Sequence, residues 1–196
     1  MSNRITGRIV GILFLVAFVC YGAGSALVDR PFGVSLMLLN SVVVATIGAL
    51  VFRVLRRPHA ATAAIYLLAR SIEAVLLAVG AVLLVWIGSA NGNDFAYQAA
   101  MLVLGLGSLP FCYLLFRNRI VPRSLSLWGM VGYAVLASGA LLELLGFALG
   151  LVLSIPGGFF EVAFGLILIA RGFPEPVGTP PTTRTQVVNV RLGAGA

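Results

Sequence analysis

The chain has 196 residues, 60% of them hydrophobic and only 10% charged, and a mean hydropathy of +1.07. A soluble domain carries about 25% charged residues. A water-soluble core of this size cannot hide so much apolar surface, so lipid must solvate most of it. The formal net charge of +7 rests on 13 arginines, with no lysine, against six acids. The arginines are dispersed at the ends of apolar runs rather than gathered in a patch, which argues against a nucleic-acid partner.

Six apolar runs follow one another, at residues 9–28, 33–52, 60–87, 95–116, 125–147 and 150–170. Each is near the ~20 residues that a helix needs to cross ~30 Å of hydrocarbon. None alternates polar with apolar, so helices rather than barrel strands are expected. The first run has the basic start and the small residues, Gly22 to Ala26, of a cleavable leader. Its full spanning length and the tight turn Asp29-Arg30-Pro31 favour a retained helix. After Ala170 the composition changes. Pro174, Pro176, Pro180 and Pro181 interrupt any helix, and Thr179, Thr182, Thr183 and Thr185 are polar. The expected fold is all-α: a polytopic membrane bundle of six transmembrane helices over residues 1–171, with a flexible tail over 172–196.

Eleven arginines fall on one side of the six spans: Arg4 and Arg8, Arg53, Arg56 and Arg57, Arg117, Arg119 and Arg123, and Arg171, Arg184 and Arg191. Arg30 stands alone on the other side, and Arg70 is within a span. Basic loops stay cytoplasmic, so both termini are expected inside and residues 29–31 and 91–94 outside.

Four charges remain inside the apolar runs: Arg70, Glu73, Glu143 and Glu161. An ionised group at bilayer depth costs at least ~2.5 kcal/mol on insertion scales and therefore needs a partner, a water-filled cavity or a function. These four are the ion-pair or ligand-binding candidates. Arg70 lies about ten residues into the third span and Glu161 about ten before the end of the sixth. Both are therefore ~15 Å deep at the helical rise, and they form the best interhelical pair. Glu73, one turn from Arg70 on the same helix, is the competing local partner.

Two segments break helix regularity. Gly105-Leu-Gly-Ser108-Leu-Pro110 lies in the fourth span and Ser154-Ile-Pro156-Gly157-Gly158 in the sixth. Ser108, Pro110, Pro156, Gly157 and Gly158 are accordingly the cavity or kink candidates, either as broken helices around a cavity or as plain packing. Gly7-x-x-x-Gly11 and Gly146-x-x-x-Gly150 are small-residue pairs suited to close helix approach. Tyr21, Asn40, Thr46, Ser108 and Tyr133 place polar groups at intermediate depth, mostly as interhelical hydrogen bonds, with a minority lining a pocket. Trp86, Tyr97 and Trp128 fit interfacial anchors. The stretch from Glu73 to Gly80 is similar in spacing to that from Glu143 to Gly150, a faint sign of internal repetition.

Cys20 and Cys112 read as packing residues, and His59 lies alone in a loop. The chain therefore offers no haem or histidine-rich metal site, and no catalytic site, metal or cofactor is expected. Without a visible nucleophile pairing, an enzyme is disfavoured. Three roles stay open: a small binding or transport-like bundle, an accessory protein acting through a partner, and an intramembrane enzyme. The partners expected are membrane lipids and either a small amphiphilic ligand or a protein.

The strings Arg4-Ile-Thr-Gly7, Tyr66-Leu-Leu-Ala-Arg70-Ser-Ile-Glu73, Gly105-Leu-Gly-Ser-Leu-Pro110-Phe-Cys-Tyr113, Trp128-Gly-Met-Val-Gly-Tyr133 and Pro156-Gly-Gly-Phe-Phe-Glu161 resemble an uncharacterised family of small bacterial integral membrane proteins, domain of unknown function 4386. The resemblance runs nearly to Arg171-Gly-Phe173. It implies a multi-pass protein of the bacterial inner (plasma) membrane with six helices. It carries over no reaction and no catalytic residue.

Overall fold

Every apolar run becomes one helix, as its length requires. A computed structural model describes residues 2–174. The helices are α1 (Asn3–Ala26), α2 (Pro31–Leu55), α3 (Ala60–Ile87), α4 (Ala90–Arg117), α5 (Arg123–Leu144) and α6 (Gly150–Arg171). All six are long and apolar enough to span a bilayer, and no strand occurs among the described residues. The chain is a multi-pass membrane protein. Of the expected tail, residues 175–196 lie outside the described residues. Gly172 and Phe173 are described and buried, with Phe173 in the core.

Local chemistry sets the helix ends. Ser2 accepts from the Ile5 amide at 3.3 Å and caps α1. Pro31 opens α2, where its missing N–H costs nothing. Gly88, at φ 68°, ends α3 in the left-handed conformation. Its N–H donates to the Leu84 carbonyl and that of Ser89 to the Leu83 carbonyl. The Ser89 hydroxyl then accepts from the Gly92 amide at 3.1 Å and starts α4. The α3–α4 connection is thus only residues 88–89, and residues 91–94, expected as loop, form the first turns of α4. α5 ends sooner than its apolar run, at Leu144. Gly146, at φ 95°, makes the turn and does not serve as a helix-packing residue.

Each helix packs on the next in sequence, and α6 returns to α1, so the six close into a ring. Short connections make neighbours antiparallel, which gathers Arg4, Arg8, Arg53, Arg117, Arg123 and Arg171 at one end. At that end the side chains of His59 and Asn118 meet at 3.1 Å and tie two connections together. The ring's outer faces carry exposed Val19, Val42, Val75 and Leu151, as lipid contact requires. Trp86 and Trp128 are exposed near opposite ends.

Glycines set how closely the helices approach. A Cβ on Gly11 would strike the Gly165 carbonyl and Ile169, so α1 and α6 touch backbone to backbone near the arginine-rich end. Gly7 is packed in the same way against Gly172 and Phe173. Gly105 and Gly107 let α4 approach α5 and α3, where added Cβ atoms would meet Ala137 and Ala69. The Gly–Pro segment of the fourth span is therefore a packing surface, and α4 runs unbroken through Pro110.

The arginine asymmetry also makes an orientation testable. Single cysteines at Asn91 and Thr182, in a background lacking Cys20 and Cys112, are expected to react oppositely with a membrane-impermeant thiol reagent. In cells with a permeable outer layer, position 91 should label and position 182 should not. The reverse pattern would invert the orientation.

Candidate functional site

α3 carries the centre of the site. Tyr66, Arg70 and Glu73 are one turn apart on its inward face, the i, i+4 and i, i+3 spacings that bring side chains together. All three are buried. The room for an arginine there comes from α2, because a Cβ on Gly48 would lie 2.8 Å from the Arg70 Cβ. Two glycines bring α6 in from the other side. Gly132 on α5 and Gly157 on α6 face each other so closely that a Cβ at 157 would lie 3.3 Å from the Gly132 carbonyl oxygen. The contact places Tyr133, one residue on, beside Glu161, one turn on.

The resulting cluster resolves both pairings open to the sequence. Arg70 Nη2 donates to Glu161 Oε1 at 2.7 Å, and Nη1 donates to Glu73 Oε2 at 3.1 Å. Nε donates to the Tyr66 hydroxyl at 2.9 Å. The Tyr133 hydroxyl donates to the same Oε1 of Glu161 at 2.7 Å. The guanidinium also lies over the Phe14 ring, with its carbon 5.1 Å from the centroid. The local and interhelical ion pairs are therefore one three-body arrangement. It links α3, α5 and α6 at mid-depth.

Aromatic packing walls the cluster off from the arginine-rich end. Phe164 meets Phe14 edge-on at 5.7 Å and Phe111 at 5.8 Å, and it stacks with Phe160 at 5.6 Å. On the opposite side the ring is open. A cavity of about 480 Å³ reaches from Arg70, Glu73 and Glu161 towards the other end and takes lining residues from all six helices. That volume suits a small organic ligand. Its wall includes Phe18 on α1 and Leu151, Ile155 and Phe159 on α6, all of which are also exposed on the outer surface. The mouth therefore lies sideways, between α1 and α6. The glycine seam closes these two helices only in their other half. Tyr21 and Tyr97 stack across the ring at 5.0 Å, and both line the cavity.

The remaining candidates divide. Pro156, Gly157 and Gly158 belong to the sixth-helix segment over the cavity; Gly157 and Gly158 line it, and α6 stays helical throughout. Pro110 lies outside the cavity lining, and Ser108 is buried with its hydroxyl unpaired among the described residues. Glu143 is not brought to the cluster. It sits at the end of α5, where its carboxylate accepts the Gly150 amide at 2.6 Å and caps α6, a favourable place for an anion. Because Glu73 lies in mid-helix and Glu143 at a helix end, their similar spacing does not place them at equivalent depths. Cys20 and Cys112 are both free and buried.

Two polar residues depart from the roles expected for them, and a third takes the pocket-lining role expected of a minority. Tyr97 does not anchor at an interface but faces inward against Tyr21, because the early start of α4 moves it two turns into the helix. Thr46 donates to the Val42 carbonyl of its own helix at 2.8 Å rather than across helices. Asn40 lines the cavity, and its buried Oδ1 has no partner among the described residues.

A family profile described as Domain of unknown function (DUF4386) matches residues 86–172. The stretch covers the end of α3 through α6, and so contains Tyr133, Gly157 and Glu161. Arg70 and Glu73 fall outside it. No curated protein and no solved structure matches the chain.

Proposed function

We propose that this protein of the DUF4386 family is a small binding or transport-like bundle that holds an amphiphilic molecule at mid-membrane. The observation that carries the reading is the joining of a lateral cavity to a buried ion cluster. Charged side chains inside a bilayer are costly and typically mark substrate or ion pathways, and Arg70, Glu73 and Glu161 form the floor of a space large enough for a ligand. A sideways mouth favours a molecule that partitions into lipid first, with its polar end at the cluster and its apolar body along Phe18 and Ile155. The aromatic wall below the cluster closes the path to the arginine-rich end, so passage through the bundle requires that wall to move. In this reading the protein resides in the bacterial inner membrane with both termini cytoplasmic, as its arginines direct.

Native mass spectrometry of gently purified protein tests this. Wild type is expected to retain a bound small amphiphile. Gly22→Phe is expected to lose it, because Gly22 lines the cavity and a Cβ there meets nothing within 4 Å, so the ring can fill the mouth without disturbing the fold. Equal occupancy in both proteins, or none in either, would overturn the proposal.

A further inference from the structure

The cavity's unpaired polar atoms carry information about the charge of its occupant. Among the described residues Arg70 is the only basic one lining the cavity, and it faces two carboxylates, Glu73 and Glu161. With all three groups ionised, the site is one positive charge short. Glu161 Oε1 already accepts from both Arg70 and Tyr133. Its Oε2 has no hydrogen bond among the described residues, and the side chain keeps 17% of its surface open on the cavity wall. Asn40 is 3% exposed, and its amide oxygen is also unpaired. Only the Glu161 oxygen is open to the cavity, because Asn40 Oδ1 is itself buried, and that open oxygen is an acceptor. Around it stand the rings of Phe14, Phe18, Tyr21, Tyr97 and Phe159, and aromatic faces attract cations.

We infer that the occupant is an amphiphilic organic cation, a protonated amine on a hydrophobic body, whose ammonium pairs with Glu161 Oε2. The inference rests on the binding reading above and adds the ligand's charge to it. An ammonium supplies both the charge that the site lacks and an N–H donor for Oε2. A carboxylate or phosphate would meet the free oxygen of Glu161 and find no uncommitted cation. A bare divalent ion is not matched either. Such ions take six or more oxygen ligands, and no three His, Cys, Asp or Glu side chains converge among the described residues.

Three probes with one body and different heads separate the outcomes: 4-phenylbutylamine, 4-phenylbutanol and 4-phenylbutyrate, titrated calorimetrically into the detergent-solubilised protein at neutral pH. The amine is expected to bind about tenfold or more tighter than the alcohol, the equivalent of one full decade in Kd, and the carboxylate is expected to bind weakest. Glu161→Gln should abolish the preference for the amine while alcohol binding persists. Should that variant fail to fold, wild type serves instead with the N-acetylated amine, which has lost the charge and should bind no tighter than the alcohol. Equal binding of amine and alcohol, or a preference for the carboxylate, would overturn the charge assignment and leave the cavity as a binding site. Failure of all three probes, or binding undiminished in Gly22→Phe, would sink the binding reading and the inference with it.

Discussion

Arg70→Gln is expected to destabilise the bundle by ~3–5 kcal/mol, the usual cost of stranding the partner of a buried ion pair. Glu161→Gln and Glu73→Gln are each expected to cost much less. The asymmetry follows from the count of charges. Arg70 is the single cation between two carboxylates, and removing it leaves two like charges in apolar surroundings with no counterion. Removing either glutamate leaves Arg70 paired with the other. A glutamine oxygen at position 161 still accepts from Arg70 Nη2 and from the Tyr133 hydroxyl. Replacing all three charges should recover most of what Arg70→Gln loses. Melting in detergent across the three single variants and the triple measures this. If Arg70→Gln melts with wild type, the cluster does not hold α3 to α6. Double-variant cycles should show coupling of Arg70 to both glutamates, because one guanidinium serves both.

Equal depth from the arginine-rich end was enough to pair Arg70 with Glu161 from the sequence, because 1.5 Å per residue is a fixed ruler in a helix. The i, i+3 step was enough to pair Arg70 with Glu73. Neither rule could say that the two pairings coexist. That depends on Gly48 yielding space to the arginine stem and on Gly132 meeting Gly157, contacts between residues far apart in the chain whose own sequence signal is only that they are small. The run lengths set the number of helices but not their ends. The Gly88–Ser89 junction and the Gly146 turn moved these by several residues, and with them Tyr97 from an interface to the cavity. Glu143 shows the converse limit. An acid near the end of an apolar run has the same letter as one at mid-depth, and only the position of the turn made it a helix cap. Asn40 was visible as a polar residue at depth, yet nothing local distinguishes a polar side chain bonded to its own helix, as Thr46 is, from one left without a partner beside a cavity.

The second large effect is expected at the seam that closes the ring. Gly11→Leu should cost ~1–3 kcal/mol or more, the penalty for forcing extra volume into a packed contact. The reason is steric and specific. A Cβ at Gly11 meets the Gly165 carbonyl, which belongs to the backbone of α6 and cannot turn aside as a side chain would. The helices would have to separate at the backbone contact by which α6 returns to α1. Gly22→Leu makes the same chemical change on the same helix, eleven residues further on. There the added Cβ meets nothing within 4 Å, so this variant should melt like wild type while narrowing the cavity mouth. Melting temperatures of the two variants in one detergent therefore divide α1 into a half that seals and a half that admits. Should Gly11→Leu melt unchanged, α1 and α6 would not be in backbone contact. The lateral mouth would then have no closed seam beneath it, and the cavity would lose the wall that makes it a site.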